Sequence, residues 1–451
     1  MTFAAILIAA GCVLLTQESK QIPTWNGEVA SIIKQSCSTC HSDTGVAPFS
    51  LATHSEVAER AKFMLQVIDA GLMPPWLPES GHLEFRNERV LTPADRATLG
   101  EWVAAGFPIG EGEAETITTV ETRVFRSDLK RSTMLSYQIP EESEAAYHSG
   151  EMDRHGFRVI MRNPQPLRVR GIRATSSAPQ AVRVMTLVGD TEGRARYLDG
   201  EDPLPGWRTS TDMGYTPAGV LGCVYIGGGS LSLLKGYHWE YPPRVDVVLG
   251  LHYRPTGKSE TLMETLEFEL VPEEEPSRRI DWLPSTVLKV DVPAGETAVY
   301  RDEGLVIPVA CDLVAITPRA IEICVRHTIE LELPDGTKTI LLDIKDWDHH
   351  QRETYVLESP HTLPAGARIT SVWELDNRAE NLRNPDSPPI DQVRRMRAGA
   401  LLDILHVTAS EKGEEELLQR FGQQRIQSLQ VLPSQGKQPN PHSNPVDAGV
   451  D

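Results

Sequence analysis

The strongest constraint on this chain's fold is a pattern running from about residue 120 to residue 408. Short runs alternate apolar and polar residues: LRVRGIR (167–173), VRVMTLV (182–188), RVDVVLGLHY (244–253), LEFELV (266–271), IELELPDG (329–336) and ITSVWELDN (369–377). A period of two turns one side of each run toward a core and the other toward water, which is strand behaviour. Gly, Pro, Asn and Asp clusters separate the runs. No helical pattern between them is long enough for a parallel crossover, so the sheets should be antiparallel. The span is large for one sandwich, and VPEEEPSRR (271–279) offers a break. Two β-sandwiches, jelly-roll-like, are expected over 135–275 and 276–410. The 34 glycines and 33 prolines suit so many turns.

Residues 24–110 read differently. Ala30–Gln35 has apolar residues at spacings of three and four, EVAERAKFMLQVIDAG (56–71) is amphipathic, and TPADRATLGEWVAAG (92–106) opens on a Thr N-cap and stops at Gly. This predicts a small all-α domain, with Trp102 and Val103 packing on the first helix or on a prosthetic group. Between the first two helices lies SCSTCHSDTG (36–45), a C-x-x-C-H in a chain with six cysteines. Three chemistries use such a motif. A redox dithiol would want a βαβ setting, and none surrounds it. A zinc site would want a second ligand pair, and the next cysteine is Cys223. A covalent c-type haem needs only what is present: Cys37 and Cys40 for two thioethers, and His41 as an iron ligand. Downstream, Met73 in MPPW can supply a thioether as sixth ligand, which raises the potential and suits electron transfer. Met64 reads as core and His82 as loop surface.

The ends and the charge bound the setting. Residues 3–15, FAAILIAAGCVLL, match the apolar core of an export signal but are too short to span a bilayer. AAGC places Cys12 where a lipid anchor could be attached. Export, as a periplasmic protein or a lipoprotein facing the periplasm, agrees with covalent haem attachment outside the cytoplasm. With 63 acidic against 44 basic residues and a formal charge of −19, a nucleic acid is not expected as partner. The expected division is a signal segment (1–20), a mono-haem domain (24–110), an acidic linker (111–134), the two sandwiches, and a tail (411–451) that starts helical and ends disordered. Acid runs such as Glu273–Glu275 read as solvated linker. Cys311 and Cys324 are candidates for a disulfide in neighbouring strands.

CSTCH, APFSL, MPPW and WVAAG resemble exported bacterial cytochromes fused to a monooxygenase-like module. GLHYRPTGK (250–258), LELPDGTKTILLDI (331–344), DWDHHQRETYVLESPHTLPAGARI (346–369) and ELDNRAENLRNPDSPP (374–389) resemble, in order, that module: the copper type II, ascorbate-dependent monooxygenases. The resemblance implies two side-by-side antiparallel sandwiches and two coppers. One copper would take a His pair near Val182–Met185 plus His252. The other would take two histidines near Pro318–Ile321 and a methionine near Leu402–Leu405. Only His252 matches its position. Arg319 would bring positive charge to a cation's place. The resemblance therefore implies a retained fold with copper not expected. His349–His350, His327, His361 and His406 lie in the second half, where a relocated copper site would have to draw on them.

Three functions remain in view. The first is an electron-transfer haem protein whose β module docks or scaffolds a redox partner protein. The second is an oxidoreductase in which haem feeds a rebuilt copper centre that hydroxylates a substrate with oxygen. The third is a non-redox binding or assembly module. The haem motif favours the first.

Overall fold

The computed structural model describes residues 21–42, 45–86, 88–117, 130–138, 154–160, 163–190, 193–201, 206–208, 219–225, 230–253, 261–395 and 401–430. The expected signal segment with Cys12 and the end of the tail lie outside the described residues.

Helices come first. One π-helical turn (Trp25–Val29) runs directly into α1 (Ala30–Ser36). α2 (His54–Asp69) opens on a capping box, in which the Thr53 side chain accepts from the Glu56 amide and the Glu56 carboxylate accepts from the Thr53 amide. α3 (Pro93–Ala104) is capped by Thr92 and carries Pro93 in its first turn, where a missing N–H costs nothing. Trp25 and Trp102 are fully buried with ring centroids 6.1 Å apart, and with Ile33, Leu51, Val57 and Leu99 they form one small core. The segment after Gly110 does not leave this core as a free linker. Trp25 Nε1 donates to the Glu115 carbonyl (2.7 Å), the Ile117 amide donates to the Ala52 carbonyl (2.7 Å), and Ile117 is buried.

The rest of the described chain is mostly strand. The first half comprises β1 (Lys130–Gln138), β2 (Arg154–Val159), β3 (Leu167–Ser176), β4 (Val182–Asp190), the short helix α4 (Arg194–Glu201), β5 (Trp207–Arg208), β6 (Gly219–Tyr225), β7 (Ser230–Ser232), β8 (Tyr237–Tyr241), β9 (Asp246–Tyr253) and β10 (Thr261–Leu270). The second half comprises β11 (Arg278–Val287), β12 (Lys289–Val292), β13 (Thr297–Arg301), β14 (Leu305–Val306), β15 (Cys311–Arg319), β16 (Cys324–Glu332), β17 (Lys338–Ile344), β18 (Tyr355–Leu363), β19 (Arg368–Asp376), β20 (Gln392–Arg395), β21 (Leu401–Ala409) and the closing helix α5 (Glu415–Gln430). β1 begins inside the stretch read as a linker.

Among the described residues a nine-stranded sheet runs β1-β10-β3-β8-β11-β21-β15-β18, with β7 on β3. Two five-stranded sheets, β5-β2-β9-β4-β6 and β13-β19-β16-β17 with β14, complete two cores. One core gathers Phe157, Ile172, Leu187, Trp239, Leu249 and Phe268, and the other gathers Leu313, Ile329, Leu342, Trp373 and Leu405. Pairing is antiparallel except where Tyr237–Trp239 of β8 run parallel to Arg278–Ile280 of β11. That pairing makes the two halves share a sheet instead of sitting as separate sandwiches. The acidic segment between them exposes Glu273 and Glu274 to solvent, as expected, but its backbone is held: Arg168 donates to the carbonyls of Pro272 (2.9 Å), Glu273 (3.1 Å) and Glu275 (2.6 Å), and Arg170 pairs with the Glu275 carboxylate (2.7 Å). The disulfide expected between Cys311 and Cys324 is not formed. The two are free buried thiols on β15 and β16, which belong to different sheets.

α5 lies on β11, burying Leu418, and Arg425 Nε donates to the Pro284 carbonyl (3.0 Å). A Cβ at Gly422 would sit 2.4 Å from the Trp282 carbonyl oxygen, so the absence of a side chain sets how closely the helix approaches the strand. We expect Gly422→Ala to push the helix off β11 and cost about 1–3 kcal/mol, as overpacking does. Denaturant midpoints of the two proteins measure this, and an unchanged midpoint would show that the helix contributes little.

Candidate functional site

The C-x-x-C-H motif continues the last turn of α1. The Cys37 amide donates to Ile33 O (2.9 Å), and the amides of Cys40 (3.2 Å) and His41 (2.9 Å) both donate to Cys37 O. Spacings of three and four bring Cys37, Cys40 and His41 toward one side of the backbone, and Cys37 lies close enough to Cys40 to feel its charge, although the three are not grouped to hold a single metal ion. The chain then doubles back, with the Ala47 amide donating to Cys40 O (3.1 Å) and the Leu51 amide to His41 O (3.0 Å). Gly45 lies inside this return: a Cβ there would fall 2.0 Å from the Cys40 carbonyl oxygen.

His41 has a defined tautomer. Its Nδ1 lies 3.1 Å from the Phe49 carbonyl oxygen. A carbonyl only accepts, so Nδ1 carries the hydrogen and Nε2 keeps its lone pair. Among the described residues Nε2 has no hydrogen-bond partner. Burial lowers the pKa of this imidazole, partly opposed by the Phe49 bond, and keeps it neutral. An Nδ1–H fixed by a carbonyl with a bare Nε2 is how a metal-ligating histidine is oriented. The attacking cysteine of a redox dithiol has a depressed pKa, and here the shifts run the other way. Burial and the neighbouring Cys40 push Cys37 up to about 12, and burial raises Cys40.

The other nearby candidates separate. Met64 is buried on α2 among the residues of the helical core. His82 is exposed. His54 donates from Nε2 to Phe107 O (2.8 Å) and meets Trp25 and Trp102 edge-on. Met73 is 41% exposed, in the irregular segment between α2 and α3.

That segment is tied to the β region. The Glu79 amide donates to Asp343 O (2.7 Å), the Arg86 amide to Val356 O (2.8 Å), and the Glu358 amide to Glu84 O (2.8 Å), so residues 84–86 lie along β18 like a short added strand. Trp76, Leu77, Leu83 and Phe85 pack on the second core. The loop after His41 meets the first half, where Val46 packs on that core. The C-x-x-C-H turn therefore sits where both halves meet the helical segment.

His252 is the one position that matched an expected copper ligand. It is fully buried on β9, and Arg352 Nη2 is 3.1 Å from its Nδ1 and 2.9 Å from its Nε2. Arg352 is itself buried and donates from Nε to His349 O (3.0 Å). The His349 ring is 5.8 Å from that of His252, and its Nδ1 donates to Ala320 O (3.0 Å). A guanidinium donates only, and it brings the charge a metal would bring. His252 thus faces a fixed cation, which does not fit it for holding copper. The remaining histidines have structural surroundings. Both nitrogens of His327 face acceptors, Val372 O and Asp403 Oδ1 (2.9 Å each), under a stacked Trp373. His406 accepts from Trp239 Nε1 at Nδ1 (3.1 Å) and bonds Thr317 Oγ1 at Nε2 (2.8 Å). His361 sits on β18, with burial lowering its pKa. Among the described residues no three His, Cys, Asp or Glu side chains are grouped to hold a metal ion. The sequence did not single out Arg89, Arg352 or Glu353; each is a charged residue whose role depends on a contact distant along the chain.

No family model matches the chain, and no curated protein matches it. Among solved structures it is similar to the STIV MCP (11% identity, TM-score 0.25, covering 62% of this chain and 96% of that one). It is also similar to the VP2 subviral particle of infectious bursal disease virus (8% identity, TM-score 0.18, 66% and 76%). A third is the CBM22-1–CBM22-2 tandem domain of Xyn10C from Paenibacillus barcinonensis (11% identity, TM-score 0.14, 62% and 82%). At such scores these likenesses carry no argument about this chain.

His406 links the site's surroundings to pH. Burial pushes its pKa down to about 3 from an ordinary 6.5. Between those values the unfolded chain takes up a proton that the folded chain refuses. Stability is therefore retained above pH 6.5 and lost as pH falls, by ~1.4 kcal/mol per pH unit from this residue. Urea unfolding at pH 7 and pH 5 should show His406→Gln with the shallower acid loss; equal slopes would mean that His406 is protonated in the folded state.

Proposed function

We propose that this chain is an exported c-type haem electron-transfer protein, with the β region as a docking or scaffolding module for a redox partner protein. The observation that carries the reading is the turn at 37–41: two cysteines and a neutral imidazole at spacings of three and four, with Nδ1 fixed by Phe49 O and, among the described residues, Nε2 without a hydrogen-bond partner. In this reading Cys37 and Cys40 would hold a haem through thioethers, and His41 Nε2 and Met73 would ligate its iron. The haem, when bound, supplies one-electron exchange between ferric and ferrous iron. The protein residues do the rest. Phe49 O holds the tautomer. Gly45 lets the chain close over the Cys40 carbonyl. Burial keeps the imidazole neutral and the thiols protonated until attachment. The helical segment is read as the cytochrome domain, and the β region as a jelly-roll-like module resembling the copper monooxygenases. The Arg352–His252 contact supports a module without the copper chemistry of that resemblance.

Elemental analysis of protein matured by an export and haem-attachment pathway, with the mass of the intact chain, tests this. We expect one iron and no copper per chain, and a mass raised by one covalent haem. Copper at stoichiometric amounts would make the oxygen-dependent oxidoreductase the better reading, and no iron would end the haem reading. Replacing Met73 with Ala should remove a methionine-to-iron charge-transfer band while leaving the haem attached. An unchanged band would exclude Met73 as ligand.

A further inference from the structure

Among the described residues, Arg89 joins the Met73 segment, the β region and the surroundings of the attachment turn through one side chain. Its Nε donates to Pro75 O (3.1 Å), its guanidinium lies over the Trp76 ring (5.2 Å), and its two terminal nitrogens form a fork onto the Glu353 carboxylate, one at 3.2 Å to Oε2 and the other onto Oε1. Both members are largely buried, with side chains 16% and 7% exposed. Glu353 follows Arg352 directly and precedes β18. The charges of Arg89 and Glu353 also act on the Cys40 thiol.

A forked arginine–carboxylate pair fixes direction as well as distance. Burying it costs desolvation, and that cost is recovered only while both partners stay in place. The neighbouring ion pair Lys345–Glu79 (2.9 Å) joins the same two segments but is exposed at both ends, so it holds far less firmly. Met73 itself sits partly in solvent, with no helix or strand to hold it, two residues before the Pro75 carbonyl that Arg89 grips. Its placement is thus decided by what happens at Pro75 and Trp76.

We propose that Arg89 and Glu353 form a clamp through which the β region positions the Met73 loop beside the attachment turn. They are positioning residues, acting on the iron through Met73. The inference rests on the haem reading for its ligand, and on the hydrogen bonds to β18 for its mechanics. The β region would thereby gain a second role, that of holding Met73 as a ligand for a haem carried by the helical segment. Partner binding to that region would then be felt at the haem.

The test compares wild type with Glu353→Gln, Glu353→Asp, Arg89→Lys and Lys345→Ala, all full-length and matured with haem. Two quantities are read: the methionine-to-iron charge-transfer band, and hydrogen exchange of the Arg86 and Glu358 amides, which bond to Val356 O and Glu84 O. Glu353→Gln keeps the shape but loses the charge. It should lose most of the band and speed exchange at both amides by about tenfold or more. Arg89→Lys, which keeps the charge but not the fork, should behave in the same way. Glu353→Asp should restore part of each, and Lys345→Ala should leave both unchanged. A full band in Glu353→Gln overturns the proposal, as does equal loss in Lys345→Ala. Failure of the underlying reading shows differently: no covalent haem in the wild-type mass, with the exchange measurement still deciding whether the clamp holds the segment.

Discussion

The structure depends on one pairing: β8 runs parallel to β11 across Tyr237–Trp239 and Arg278–Ile280. Without it the long sheet would stop at β8 on one side and at β11 on the other. With it, one sheet runs through both halves, and β21 becomes an interior strand buried at every position. The junction is then lined from both halves, by Val188, Trp207 and Val248 on one side and Leu402 and Ile404 on the other. One run of polar groups across this seam is satisfied within it, from Trp239 through His406 and Thr317 to Thr354. A rigid seam is also what allows a third element to dock on both halves. Val46 packs on the first core while Trp76, Leu77, Leu83 and Phe85 pack on the second.

How legible this was depends on whether the information was local. The alternation in LRVRGIR and ITSVWELDN gave strands because a period of two is a property of a few adjacent residues. The helical caps at Thr53 and Thr92 were legible for the same reason. The division near 271–279 separates two cores, but the acidic residues there looked like a solvated tether. Their role depends on Arg168 and Arg170, about a hundred residues earlier. Cys311 and Cys324 are close in sequence and look like strand neighbours. A pair of sheets instead puts consecutive strands β15 and β16 in opposite layers, and that follows from topology, not spacing.

The candidate site divides in the same way. The C-x-x-C-H turn could be read from the sequence because spacings of three and four fix a face. The partner of His41 Nδ1 could not, since the return of the chain to Phe49 depends on Gly45 and on packing around Leu51. The histidines of the second half looked like possible metal ligands by residue type alone. Their surroundings give each a different structural part: Trp373 stacks on His327, Trp239 donates to His406, and Arg352 contacts His252.

Arg352 and Glu353 also show how one short stretch can serve two neighbourhoods. The first turns inward and places a cation on His252; the second turns toward the helical segment and takes Arg89. Opposite charges on adjacent residues are ordinary on a surface, where water screens them. Both of these are buried, so each needs a partner with fixed geometry, and the partners lie in different parts of the fold. The imidazole of β9 and the Pro75–Trp76 turn are therefore set by neighbouring backbone positions. A shift of the chain at 352–353 would disturb the interior of the β region and the approach to the C-x-x-C-H turn together.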